Sequence, residues 1–369
     1  MLGAMRKPDP FRGVGPALDR LYAAAADTPG QRYDIQDPNS RMIILSDLHR
    51  GARNRADDFR HSERAFNAAL GYYYELGYTL VILGDAEELW QERPADILQA
   101  YRHSLDLEAE FHRQGRYLRF WGNHDDEWRS RSKVRRYLSR VFGPDLRVHE
   151  GLQLHITEGE QELGRLFLVH GHQGSLEGDR WGGLSRFLVR TLYRPFQRLT
   201  GFSHSTPATS WELREGHNRA LHDWTTRHPE VLLIAGHTHR PVYASQTHPD
   251  QLLEDMQQLR DLAAHPDTPT ADRPGIRASL AERAAELEWA RAQQASQSGD
   301  EGTAAAPRQP RYFNTGCCCY TDGQITGIEL CGNEIRLVRW PDKQGRPRPE
   351  ILAPVSPDGK PGIRELLRQ

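Results

Sequence analysis

The stretch Met42-Ile43-Ile44-Leu45-Ser46-Asp47-Leu48-His49 changes character at its midpoint. Four apolar residues, two of them β-branched, make a run of strand length with no polar face. The next four bring a hydroxyl, a carboxylate and an imidazole. The same transition recurs down the chain. Thr79–Leu83 runs into Gly84-Asp85, and Tyr117–Trp121 into Gly122-Asn123-His124-Asp125. Leu166–Val169 ends at His170-Gly171-His172, and Val231–Ala235 at Gly236-His237-Thr238-His239. Between the first three runs lie amphipathic stretches of helical length, Asp58 to Gly77 and Ala95 to Gln114. Each closes near a glycine (Gly77, Gly115), which tolerates the left-handed end of a helix. Strand–helix–strand alternation predicts parallel pairing in a layered α/β fold.

Loops at the carboxyl ends of such strands converge on one crevice. Asp47, Asp85 and Asn123 are each 38 residues apart, one strand–helix unit per step. Any one motif is weak: an Asp-x-His suits many surface loops, a His-x-His suits one face of a strand, and Gly-Asp suits a turn. Five strand ends all carrying nitrogen or oxygen donors point to a metal site. The expected ligands are Asp47, His49, Asp85, Asn123, His170, His237 and His239. Seven donors exceed one catalytic ion and suit two that share a carboxylate. A thiolate-free set fits manganese, iron and zinc alike, and ligand type sets no order among them; two divalent transition-metal ions, manganese first, are the expected cofactors. Two cations ~3.5–4 Å apart lower the pKa of a bridging water and neutralise phosphate oxygens. His124 is the expected catalytic residue, placed to protonate the leaving oxygen. Asp125 is read either as its orienting partner or as a plain helix-start residue.

Together these motifs resemble the ordered set of the calcineurin-like metallophosphoesterase superfamily, over roughly residues 41–243. The resemblance implies a four-layer α/β/β/α sandwich with a dinuclear centre at one edge. It implies Asp47, His49, Asp85 and His239 on one ion, and Asp85, Asn123, His170 and His237 on the other. In His170-Gly171-His172 it assigns the first histidine as ligand. Ser/Thr protein phosphatases of the superfamily carry Gly-Asp-x-Val-Asp-Arg-Gly, whereas this chain has Gly84-Asp85-Ala86-Glu87-Glu88-Leu89-Trp90. Ser46-Asp47-Leu48-His49 and Gly84-Asp85-x-x-Glu88 are more similar to bacterial UDP-2,3-diacylglucosamine pyrophosphohydrolase-like proteins. Two positions depart from them: His124 stands where arginine is typical, and His-Gly-His replaces His-Gly-Asp. The expected activity is therefore hydrolysis of a phosphomonoester or phosphodiester. A UDP-sugar-lipid pyrophosphohydrolase and a non-catalytic metal-binding scaffold are the alternatives.

The remaining segments frame this catalytic unit (residues 41–244). Residues 1–40 read as an N-terminal extension with a short helix over Pro16 to Ala26. Residues 173–230 read as a helical, lid-like insertion. In it Arg186, Arg190, Arg194 and Arg198 recur at helical spacing among Leu184, Phe187, Leu188 and Leu192. Pro195 is expected to kink or end that helix. A basic lid clamping an anionic or amphipathic substrate, with peripheral membrane contact, is one reading, and an ordinary solvated arginine face is the other. Arg50, His172, Arg186 and Arg190 are the candidate substrate contacts. Residues 245–310 read as a helical hairpin with a Ser/Gly/Ala/Pro tether, a solvated decoration or else a homodimerisation arm. Residues 311–340 supply terminal strands, Ile325–Leu330 and Glu334–Arg339 forming a hairpin around Gly332-Asn333. Residues 341–369 are a C-terminal tail.

With 48 basic and 50 acidic side chains, the chain offers no broad basic face for nucleic acid, and a small phosphorylated substrate is the expected partner. It has 17 histidines and four cysteines. Cys317, Cys318 and Cys319 are consecutive, a poor disulfide framework, so reduced thiols and a cytoplasmic address are expected. They read first as small buried residues at a strand entry, with a soft-metal site as the alternative. No apolar run reaches membrane-spanning length.

Overall fold

The structure is a computed structural model. It describes residues 10–26, 32–174, 207–239, 241–242, 311–320, 322–342, 347–352 and 362–368, with scattered residues between 253 and 288. Its apolar runs are continuous because they are covered on both faces. Ile43, Leu45, Leu80 and Ile82 point to one cluster, shared with Phe59, Phe66, Leu105 and Phe111 of the helices Phe59–Glu75 and Arg102–Arg113. Met42, Ile44, Val81 and Leu83 point the other way, to meet Leu152, Leu166, Leu168, Leu232 and Ile234 of a second sheet. The far face of that sheet, Phe167, Val169, Val231 and Leu233, packs on Val14, Leu18, Leu221 and Trp224 of two more helices. Three apolar interfaces between four layers make the α/β/β/α sandwich that the family resemblance implies.

The first sheet has seven strands in the order Glu350–Leu352, Glu334–Trp340, Ile325–Cys331, Arg41–Leu45, Thr79–Leu83, Tyr117–Phe120 and Val148–His149. The last four run parallel, and Ile325–Cys331 joins Arg41–Leu45 antiparallel. The second has six, in the order Arg32–Asp34, Gly151–Glu158, Gln161–Val169, Val231–Ala235, Tyr312–Thr315 and Pro241–Val242. There Gln161–Val169, Val231–Ala235 and Tyr312–Thr315 are mutually parallel. All five strand ends that carry ligand-type residues thus lie on parallel strands, three in one sheet and two in the other.

The stretch read as one helix over Ala95 to Gln114 is two, Pro94–Ala100 and Arg102–Arg113, separated at Tyr101. The N-terminal segment supplies the helix Val14–Ala26 and the edge strand Arg32–Asp34. The C-terminal segment supplies Glu350–Leu352 and the helix Ile363–Leu367, whose Ile363 and Leu366 enter the inter-sheet core. Of the described residues between 245 and 310, Met256 and Leu287 meet in a small cluster with Leu280 and Ala284. Among the described residues no helix is long and apolar enough to cross a membrane.

Candidate metal centre

The ladder between Arg41–Leu45 and Thr79–Leu83 continues past the strands. Asp47, His49 and Arg50 donate their backbone N–H to the carbonyls of Gly84, Asp85 and Ala86, at 3.1, 2.9 and 3.1 Å. This carries Asp47 and Asp85 side by side out of the sheet. Within the second sheet the Gly236 N–H donates to the His170 carbonyl (2.9 Å), and Asp47 joins the two sheets across the crevice. The His237 N–H donates to Asp47 Oδ2 (3.0 Å), and the Ser46 hydroxyl donates to the same oxygen.

The cost of this geometry is visible in the backbone. Asp47, His49, Asp85, His237 and His239 adopt left-handed φ between 48° and 69°. Among the described non-glycine residues only Arg53 shares it. Such angles persist where the surrounding structure enforces them, and they gather at functional sites. Gly122 shows how tight the packing is: a Cβ there would stand 2.6 Å from the His170 ring and collide with Asp85 Oδ1.

Six of the expected ligands, Asp47, His49, Asp85, His170, His237 and His239, therefore arrive at one place. His239 Nε2 lies 3.2 Å from Asp47 Oδ1 and 3.1 Å from His49 Nε2. His170 Nε2 lies 3.1 Å from Asp85 Oδ2, which is also 3.8 Å from His49 Nε2. Donor atoms of Asp47, His49 and His239 fall within 4.8 Å of one another, and so do those of Asp85, His170 and His237. Asp85 stands between the two groups, as a shared carboxylate must. The donor set passes a test of fit for cations. Asp47 Oδ1, Asn123 Oδ1 and His170 Nε2 are buried and have no hydrogen-bond partner. Orphaned buried acceptors are costly unless something fills the space between them. His170 Nδ1 donates to the Leu83 carbonyl (2.8 Å), which leaves Nε2 with its lone pair facing inward.

Charge follows position. Burial raises the pKa of the Asp47 and Asp85 carboxyls, but the neighbouring imidazoles win and hold both below the usual carboxylate range. His124 is held up to about 9: burial disfavours its charge, and the carboxylates of Glu88 and Asp85 outweigh burial.

These groups offer nitrogen and oxygen donors suited to divalent cations, and a comparison with family models bears on the chemistry they serve. The model described as calcineurin-like phosphoesterase matches residues 40–241. The chain belongs to that family. A comparison with curated proteins and one with solved structures each return no match. The family binds divalent metal ions and hydrolyses phosphoesters, and the cluster described above offers it suitable donors.

Several site residues depart from their expected surroundings. Asp125 does not orient His124. Its carboxyl accepts the Gly122 and Ala86 N–H groups (2.6 and 2.9 Å), bracing the two loops that carry Asn123 and Asp85. The orienting group is Glu88, whose Oε2 lies 2.7 Å from His124 Nδ1 and 3.2 Å from His49 Nδ1. Its spacing after Asp85 was visible, but nothing in the sequence says which imidazole it faces. Trp90 stacks on the His124 ring at 4.1 Å and donates its indole N–H to the Asn123 carbonyl (2.7 Å).

Arg50 is a correction. Expected at the substrate, it is fully buried and pairs with Glu87 and Glu108. Glu87 also accepts from Arg119 and from the Trp128 indole (2.8 Å). This buried charge network fixes the loops that follow the ligands. Glu87→Ala leaves two buried guanidiniums to share the single carboxylate of Glu108 and is expected to cost about 3–5 kcal/mol, read as a lowered midpoint of chemical denaturation. His172, also expected at the substrate, is only 5 % exposed, and its ring packs near Trp121 (5.3 Å) and His170 (5.4 Å). It belongs with the packing of the ligand rings. Arg186 and Arg190 lie outside the described residues.

Proposed function

We propose that this chain is a dinuclear phosphohydrolase acting on a small phosphomonoester or phosphodiester, with manganese as its working metal. The observation that carries the reading is Asp85, a buried carboxylate placed between two His/Asp groups beside three orphaned acceptors. Asp47, His49, Asp85 and His239 would hold one ion, and Asp85, Asn123, His170 and His237 the other. When bound, such a pair supplies an activated water at neutral pH and neutralises the phosphate oxygens.

The chain's own residues complete the chemistry. Each carboxylate is oriented by backbone: His237 N–H holds Asp47 Oδ2, and His124 N–H holds Asp85 Oδ1 (2.8 Å). Each therefore keeps one oxygen aimed at the cluster. His124 Nδ1 bonds the Glu88 carboxylate, so the ring carries its proton at neutral pH and Nε2 is its second N–H donor. At 25 % exposure its side chain is open to an incoming ester while the carboxylate ligands are sealed. A proton delivered there relieves charge on the leaving oxygen, and Glu88 stabilises the imidazolium before transfer.

The test is hydrolysis of chromogenic phosphomonoesters and phosphodiesters with manganese added. Turnover of at least one class, abolished by chelation and restored by metal, is the expected result. Absence of turnover on both at full metal occupancy would overturn the reading in favour of a metal-binding scaffold.

A further inference from the structure

We infer that Cys317, Cys319 and His239 form a separate site for one thiophilic cation of the zinc class, sharing His239 with the dinuclear centre. The two sulfurs and a ring nitrogen of His239 lie within 4.8 Å of one another. The three consecutive cysteines are not equivalent. Cys318 is fully buried in the core shared with Ile325 and Val338, with its sulfur 3.8 Å from the Thr326 carbonyl. Cys317 and Cys319, on either side, turn to His239. The loop thus places one thiol in the core and its two neighbours beside His239.

The loop that carries them is pinned at several points, which makes the thiol pair a built feature. The Cys318 N–H donates to the Asp47 carbonyl (3.1 Å), joining the loop to a residue of the first ion's group. The Cys317 N–H donates to Thr326 Oγ1 (3.2 Å), and the Thr326 N–H returns to the Cys317 carbonyl (3.1 Å). The Tyr320 hydroxyl donates to the His239 carbonyl (3.3 Å), tying the far end to the third donor. Gly316 makes the turn at φ 74°, where a Cβ would collide with Thr326 Oγ1.

Two thiolates and one imidazole are three protein ligands with a fourth position open, a known zinc arrangement. Softness separates this set from its neighbour. Sulfur donors select zinc or copper(I), whereas the carboxylate, carboxamide and imidazole donors next to it also suit manganese. Because His239 serves both, a cation on the thiolates competes with the ion held by Asp47 and His49. Zinc in excess then acts against the manganese form.

The decisive measurement is zinc-edge X-ray absorption on the full chain, reduced, loaded with manganese and given one further equivalent of zinc. A zinc–sulfur shell at about 2.3 Å, of two sulfurs, is expected. Zinc surrounded by nitrogen and oxygen alone would overturn the assignment, and this readout on the unaltered protein does not depend on a variant folding. In the Cys317→Ser/Cys319→Ser double variant the sulfur shell is expected to vanish and zinc retention to fall at least tenfold. Cys331→Ser is expected to leave both unchanged. A sulfur shell that survives the double variant would place the cation elsewhere and refute the site. The inference stands apart from the proposed activity: a sulfur shell in a protein without turnover would keep this site and remove that reading.

Discussion

Asp85→Ala is expected to lower turnover by about 10³-fold or more and to reduce bound metal below one ion per chain. Asp85 reaches both donor groups, 3.1 Å from His170 and 3.8 Å from His49, and is nearer to His170 than Asp47 is at 4.0 Å. Removing it takes a ligand from each ion and leaves His170 without its nearest counter-charge. Lewis-acid stabilisation of a phosphoryl transition state is worth several kcal/mol, and each 1.36 kcal/mol is about tenfold in rate. The variant should keep its fold, because the Asp85 backbone, not its side chain, continues the ladder to His49. Metal content by elemental analysis, read beside turnover, checks this. Two ions retained with normal turnover would show that Asp85 is not shared.

His124→Ala is expected to behave differently. Turnover should fall by about 10²–10⁴-fold, the range supplied by a positioned general acid, while both ions stay bound. The contrast follows from geometry. Asn123 Oδ1 is buried without a hydrogen-bond partner, whereas His124 is held by Glu88 and the face of Trp90. The loss should be smaller for esters whose leaving group is already acidic, since these need no proton. Equal losses across leaving groups would assign His124 to binding instead of proton transfer.

The parts of the architecture that show in the sequence are those set by local chemistry. Met42–Leu45 and Thr79–Leu83 read as two-faced buried strands because no polar residue interrupts them, and the structure buries alternate residues in different interfaces. The meeting of Asp47, Asp85 and Asn123 follows from strand ends in one parallel sheet. Their approach to His170 and His237 did not follow from that rule alone. The two histidines come from a second sheet, and the inter-sheet contacts that unite them, Ser46 with Thr315 and Asp47 with the His237 N–H, are long-range. Short pairings such as Val148–His149 and Pro241–Val242 hold two residues each and carry no periodicity to read.

Charge was the least legible feature. Arg50 follows a ligand directly, and a free arginine beside a phosphate site is the natural expectation. Its actual partners, Glu87 and Glu108, lie 37 and 58 residues away, and only the packing of Arg102–Arg113 against the sheet brings the second within reach. Asp125 is next to His124 in sequence, but the chain turns its carboxyl back to two backbone N–H groups. Glu88, three residues past Asp85, takes the orienting role because the same loop carries it between two imidazole rings.

Elemental analysis of purified, active protein, at known protein concentration, bears most directly on the shared-carboxylate pair. Two divalent transition-metal ions per chain, falling together when Asp85 is replaced, is the predicted outcome. Fully active protein that carries one ion or none would contradict it.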